Sequence, residues 1–308
     1  GYFFSPANFF SDKNINNLLK LLGPSLLGLA VYQINIIVLR NLASFMPTGQ
    51  VTHYYNASRL SEFTLGIFAF AITTASFPEL SNYIAKANWG KIRKTLHFTV
   101  STTLLVILPA SFGLAFAAEP IVSMLFFHGA YTWSDVQNTA NTLKFFALSI
   151  PAVSIIRLQT GLFFTLKNTG TAVKVSMFSI LVTGLLGWWL SQSLEIVGLA
   201  IGLALGTWLQ FFLLTLFLLK QPELRINWWP FRSSILYLVS SVFMSIYVSF
   251  TLEYGLWEKG PFLSLNWLIF FLLMLGSAFL YIGILFILRE EQILRLLVQL
   301  KAKLNKSS

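Results

Sequence analysis

The chain has 308 residues, of which 56% are hydrophobic and only 10% charged, with a mean hydropathy of +0.72. A soluble domain carries about 25% charged residues, so the composition excludes one and points to an all-α integral membrane protein. The net charge of +10 is scattered among apolar stretches rather than gathered in a nucleic-acid-binding stripe, and the lack of cysteine excludes disulfides, thiolate nucleophiles and cysteine metal sites.

Residues 1–20 read as a cytoplasmic linker. The opening lacks the basic region and apolar core of a cleavable signal peptide, and a start on Gly1-Tyr2-Phe3-Phe4 predicts a piece of a longer protein. A short amphipathic helix is expected over 11–22, capped by Ser11, with Ile15, Leu18, Leu19 and Leu22 on one face. Eight segments are then long and apolar enough to cross a bilayer, which takes about 20 residues each. They fall near 21–45, 51–77, 97–118, 136–164, 172–190, 197–219, 233–252 and 262–288. The expected organisation is a six-helix lobe over 21–219, two appended helices over 220–288, and a basic amphipathic tail over 289–308.

The second span carries Arg59 and Glu62, three residues apart and so on one helix face. A charge at membrane depth costs at least about 2.5–3.5 kcal/mol on insertion scales, so it normally faces a partner or a wet cavity. The pair predicts a polar pathway; a self-contained ion pair locking one helix is the competing reading. Arg40, Lys144 and Arg157 are the other basic residues inside spans. Arg40 and Arg157 lie near helix ends, where a long side chain can reach the interface, whereas Lys144 sits two to three turns inside and favours a cavity-facing role.

Pro109 and Pro151 fall inside the third and fourth spans and should kink them. Gly198 and Gly202, extended by Gly206, form a small-residue stripe that predicts close helix contact. Trp188-Trp189 and Trp228-Trp229 sit at span ends as interfacial aromatics do. In the tail, Ile293, Leu296, Leu297, Leu300 and Leu304 alternate with Arg295, Lys301 and Lys303, a pattern suited to an anionic membrane surface. With the N-terminus placed in the cytoplasm, sixteen of the 21 basic residues fall on the inside and only Lys259 lies in an outside loop, so both ends are expected inside.

Chemistry of other kinds is missing from the sequence. His53, His97 and His128 are far apart, and none has an Asp or Glu at metal-ligand spacing. There is no phosphate-binding loop and no dinucleotide fingerprint, so an enzyme is not the expected reading.

Several stretches in order resemble the MurJ (MviN) lipid II flippase family. They are Ala57-Ser58-Arg59-Leu60-Ser61-Glu62-Phe63 with Phe77-Pro78-Glu79-Leu80-Ser81; Leu108-Pro109-Ala110 with Ala118-Glu119-Pro120-Ile121-Val122; and Phe126 through Thr132. Ala147 through Ala152, Arg157 and Asn168 through Lys174 continue the likeness, and Gly23-Pro24 with Gln33-Ile34-Asn35 and Leu42-Ala43-Ser44 precede it. The likeness runs over about residues 18–220; beyond 221 it rests on span count.

The resemblance implies helices seven to fourteen of a fourteen-helix transporter in the bacterial inner membrane, with a further N-terminal lobe that completes the cavity. It implies movement of a lipid-linked peptidoglycan precursor by alternating access; the alternatives are a polysaccharide-lipid or drug exporter of the same superfamily, or a non-transporting membrane scaffold, and no cofactor is expected. Arg59 would match a cavity arginine and Glu62 the acid beside it, while the last two spans would build a groove for the lipid tail. Ser58 and Thr64 stand where the family often has Asp and Pro, so a straighter helix is expected here. Leu39, Thr183 and Gly187 stand where some members are proposed to hold sodium, which favours proton coupling or potential-driven transport.

Overall fold

A computed structural model of the chain describes residues 37–39, 41–47, 49–221 and 229–294. The described residues form helices joined by short turns, without strands. Helices are the form in which a backbone satisfies its own polar groups in hydrocarbon. Most of the expected first span, both amphipathic ends beyond residue 294 or before 37, Arg40 and Trp228 lie outside the described residues.

The helices are α1 Gln50–Thr64, a π-helical turn Leu65–Phe70, α2 Ala71–Ala85, α3 Trp89–Phe116, α4 Ala118–Phe126, α5 Trp133–Thr165, α6 Thr169–Leu219, α7 Phe231–Leu252, a 3₁₀ turn Trp257–Phe262, and α8 Ser264–Ile287. Six stretches among the described residues are long and apolar enough to cross a membrane. One of them, α6, has 51 residues, with a mean hydropathy of 2.0 over its most apolar stretch. At 1.5 Å per residue it would be about 75 Å long if straight, well over twice a hydrocarbon core.

It is not straight. Glu195 has φ 48° and ψ −131°, a conformation that favours glycine, and the helix reverses there. The expected spans 172–190 and 197–219 are thus the two arms of one hairpin. The glycine stripe lets the arms close. A Cβ on Gly198 would lie 2.4 Å from the carbonyl carbon of Leu190, one on Gly202 2.5 Å from Cα of Gly187, and one on Gly206 1.8 Å from Oγ1 of Thr183. Close helix contact at this stripe is what the sequence predicts.

The connections at one end carry Lys86, Lys167, Lys220 and Arg289, and this is called the basic end. The opposite end carries Glu119, Asp135, Glu195 and Glu253. Asn88 caps α3 by accepting from the Lys91 amide at 3.2 Å, and Thr132 caps α5 in a reciprocal box with Asp135. One apolar core, including Ile92, Leu96, Leu158 and Phe163, fills the basic half, and another, including Ala57, Leu143, Phe146 and Leu199, fills the opposite half.

Pro109 and Pro151 lie inside α3 and α5. A proline removes the amide that would bond the carbonyl four residues earlier. Those carbonyls belong to Leu105 and Ala147. The first accepts from the Tyr281 hydroxyl of α8 at 2.8 Å, the second from the Ser111 hydroxyl of α3 at 2.6 Å.

Candidate functional site

The expected site lies on the helix formed by α1, the π turn and α2, which packs in parallel on α5. His53 lies opposite Thr139, Phe70 opposite Arg157, and Phe77 opposite Gly161. This stretch is sparsely covered: 22% of its most apolar part is buried, against 61% for α5. Arg59, Glu62, Phe63, Ile67 and Phe68 are exposed, while Tyr54, Ala57, Ser61 and Thr64 face the interior.

Arg59 and Glu62 form no ion pair with each other; among the described residues the close acid–base contact is His53 with Asp135, which is ionic only when the imidazole carries a proton. The self-locked pair considered from the sequence is therefore not what the geometry gives. Both groups are exposed in this chain.

Lys144 is on α5 at nearly the same depth as Arg59, since Arg59 is six residues past His53 and Lys144 five past its partner Thr139. Its ammonium donates to Oδ1 of Asn141 at 3.0 Å. Arg157 lies thirteen residues further along α5, roughly 20 Å at the helical rise, and is separate from them. Its guanidinium carbon sits 3.8 Å from the centroid of the Phe70 ring, a cation–π contact. The structure thus brings Arg59 and Lys144 to one level and sets Arg157 apart; Arg40 lies outside the described residues.

The helix after Arg59 is not straighter, as expected from Thr64, but π-helical over Leu65–Phe70. A π turn inside an α-helix often marks a functional position. The Thr64 hydroxyl donates to the Leu60 carbonyl at 3.0 Å and Thr73 to that of Ala69 at 2.9 Å, so hydroxyls satisfy carbonyls at both flanks of the irregular turn.

A polar cluster at the end opposite the basic one escapes sequence reasoning. His53 is 4% exposed. Its Nδ1 is 3.1 Å from Oγ1 of Thr139 and its Nε2 3.4 Å from Oδ1 of Asp135. Oδ2 of Asp135 accepts from the Thr132 amide at 2.7 Å and hydroxyl at 2.6 Å. Tyr131 bonds Thr139 through its hydroxyl and meets the His53 ring edge-on. One turn before His53, Nε2 of Gln50 donates to Oε2 of Glu195 at 2.5 Å. His53 and Asp135 are 82 positions apart, so no spacing rule joins them; the capping pattern Thr132…Asp135 was the one local signal.

The positions associated with sodium by resemblance do not fit the ion. Leu39 is buried and has no side-chain donor, Gly187 is packed against Leu199 and Gly202, and the Thr183 hydroxyl faces Gly206. No group of three or more His, Asp or Glu suited to a metal occurs among the described residues.

A cleft of about 320 Å³ opens between α3 and α7, lined by Phe112, Phe116, Val242, Ile246 and Phe250, with Ser245, Ser249 and Glu253 along one side. A more polar cleft of about 420 Å³ at the basic end is bordered by Glu79, Lys94, His97, Ser101, Ser233 and Glu290.

The model of the family described as lipid II flippase MurJ matches residues 1–276. A probable lipid II flippase MurJ from Rickettsia prowazekii is 29% identical over 217 residues, covering 70% of this chain and 43% of the relative. Another from Haemophilus influenzae is 26% identical over 300 residues, covering 92% of this chain and 58% of the relative. The chain thus spans about half the length of the curated relatives it matches. A solved structure of lipid II flippase MurJ in an inward closed conformation superposes with a TM-score of 0.71 at 24% identity, over 93% of this chain and 57% of the other. The last agreement is one of fold, and the family match covers most of the sequence: the chain belongs to the MurJ lipid II flippase family.

Proposed function

We propose that this chain forms one lobe of a lipid II flippase, corresponding to helices seven to fourteen, which works with the further helices its relatives carry. It moves the undecaprenyl-linked peptidoglycan precursor across the bacterial inner membrane by alternating access, as a transporter rather than an enzyme. The observation that carries this reading is the pair Arg59 and Glu62, exposed and not ion-paired to each other on a sparsely covered membrane-crossing helix.

A guanidinium presents planar donors matched to a diphosphate, and within a cavity it holds such a group more strongly than in water. Glu62, one turn away, limits how tightly the anion is kept, because a like charge nearby weakens the hold. Lys144, level with Arg59, adds positive potential at the same depth. The cleft between α3 and α7 has apolar walls and suits a lipid tail, which supports a division of labour between headgroup and tail surfaces. The basic end faces the cytoplasm, following the distribution of Lys and Arg, and meets anionic lipid there. The poor fit of Leu39, Thr183 and Gly187 to sodium favours a cycle driven by protons or by membrane potential.

The test is growth complementation by the full-length protein carrying Arg59→Ala or Arg59→Lys, at verified membrane levels. The expected result is loss with alanine and at best partial rescue with lysine, which keeps the charge but loses the planar fork. Full activity of both variants would refute the headgroup role.

A further inference from the structure

Glu290 is 2% exposed and is the one buried acid among the described residues. A buried carboxylate is costly unless its oxygens are bonded, and no ion pair to Glu290 occurs among the described residues. Hydrogen bonds stand in for a cation. Its Oε1 accepts from the hydroxyls of Tyr237 at 2.9 Å and Ser233 at 3.1 Å, both on α7. Its Oε2 accepts from the amides of Gln292 at 2.7 Å and Ile293 at 3.1 Å. A carboxylate offers about four acceptor sites, and these bonds use them all. The Tyr237 hydroxyl gives its proton to Glu290, so the Ser101 hydroxyl of α3, 3.0 Å away, is the donor to Tyr237.

The corner that holds Glu290 is tight. After α8, Arg289 takes a left-handed φ of 52°, and the Glu290 amide returns to the Leu285 carbonyl at 3.0 Å. Helical turns resume over 291–294, with the Leu294 amide on the Glu290 carbonyl at 3.1 Å. The first amides of a helix have no partner within it, and Glu290 supplies one to two of them. Ile293 packs on the apolar core of the basic half. Glu290, Glu291 and Gln292 border the polar cleft at the basic end, as do Glu79 of α2 and Lys94 of α3.

We propose that Glu290 is a positioning residue for the segment after α8: a clasp that binds residues 291–294 to α7 directly and to α3 through Tyr237. A helix cap needs only Oε2. The bonds at Oε1 are what tie the cap to the bundle, and they give this border of the polar cleft a fixed place. The residues that follow in sequence, with Arg295, Lys301 and Lys303, thus start from a fixed point at the basic end. The proposal stands apart from the role of Arg59.

The test is amide hydrogen exchange of the full-length protein in detergent, read by mass spectrometry over residues 290–294, with residues 132–139 at the far end of the bundle as the reference. Glu290→Ala removes cap and tie together, and exchange over 290–294 should quicken about tenfold while the reference is unchanged. Tyr237→Phe keeps the ring and the cap but cuts the tie, and about threefold is expected. Glu290→Asn keeps a capping side chain too short to reach Tyr237, so it should resemble Tyr237→Phe rather than Glu290→Ala. Native exchange in Tyr237→Phe would reduce Glu290 to a local cap and overturn the clasp, as would native exchange in Glu290→Ala. Quickening that extends to 132–139 would assign the effect to general unfolding and overturn it as well. Should Glu290→Ala fail to accumulate in membranes, Tyr237→Phe and Glu290→Asn decide the question.

Discussion

The hydroxyl of Tyr281 donates to the carbonyl of Leu105, which Pro109 has left without its helical amide. Tyr281 is 5% exposed and belongs to α8, while Leu105 belongs to α3, so a defect in one helix becomes the polar attachment of another. Ser111 and Ala147 repeat the device between α3 and α5, beside Pro151. A free carbonyl in hydrocarbon is costly, so each proline leaves an acceptor that ties its helix to a neighbour.

Tyr281→Phe and Ser111→Ala each remove one such donor without changing much volume. Each should lower stability by about 0.5–2 kcal/mol. Thermal unfolding in detergent reads the loss, and because the two bonds lie in different contacts, the double variant should show nearly additive losses. Replacing Pro109 by Ala restores the helical amide, so Tyr281→Phe should cost less in that background.

The α6 hairpin depends on glycine for a geometric reason. Gly202→Ala would push a methyl to 2.5 Å from the Gly187 backbone, and Gly206→Ala would press on Thr183. Overpacking of this kind costs about 1–3 kcal/mol. Both variants should accumulate less in membranes and unfold at lower temperature. Gly170→Ala, whose methyl would meet nothing within 4 Å, should leave both measurements unchanged.

The sequence made the spans legible because length and hydropathy are summed over some twenty residues, and local errors average out. It made the glycine stripe legible because Gly198, Gly202 and Gly206 repeat at helical spacing. The π turn was not legible: Leu65 to Phe70 is an ordinary apolar run, and its irregularity comes from packing. The reversal at Glu195 carries no Gly or Pro at the turn itself, so the two arms were separable only by their lengths. In the site, Arg59 and Glu62 were visible as charges in an apolar span. His53 was not, because its partner Asp135 is brought to it by the parallel packing of α1 on α5.

The cleft between α3 and α7 gives a test of the tail surface apart from the headgroup. Ser249→Trp would fill much of its 320 Å³ without touching Arg59 or the glycine stripe. Ser249 is exposed and its hydroxyl only bonds back to the Ser245 carbonyl, so folding should be little affected. If the cleft holds a lipid tail, the variant should complement growth poorly while reaching normal membrane levels. Ser249→Ala, which leaves the cleft open, should behave as the native protein.

Arg157 and Phe70 provide the remaining prediction. The guanidinium lies 3.8 Å from the ring centroid, at the last residue of the π turn, so the contact fastens the lower edge of that turn to α5. A cation–π contact is worth about 0.5–2 kcal/mol. If Arg157 serves as this fastening, Phe70→Leu and Arg157→Gln should destabilise by similar amounts, and the double variant should cost little more than either alone, because each single change already breaks the contact. If Arg157 instead binds substrate, Arg157→Gln should abolish complementation while Phe70→Leu, which frees the guanidinium, should not. Its distance of roughly 20 Å along the helix from the level of Arg59 and Lys144 favours the fastening, since one diphosphate cannot reach both. The expected outcome is therefore a strong coupling in thermal unfolding and closely matched complementation by the two single variants.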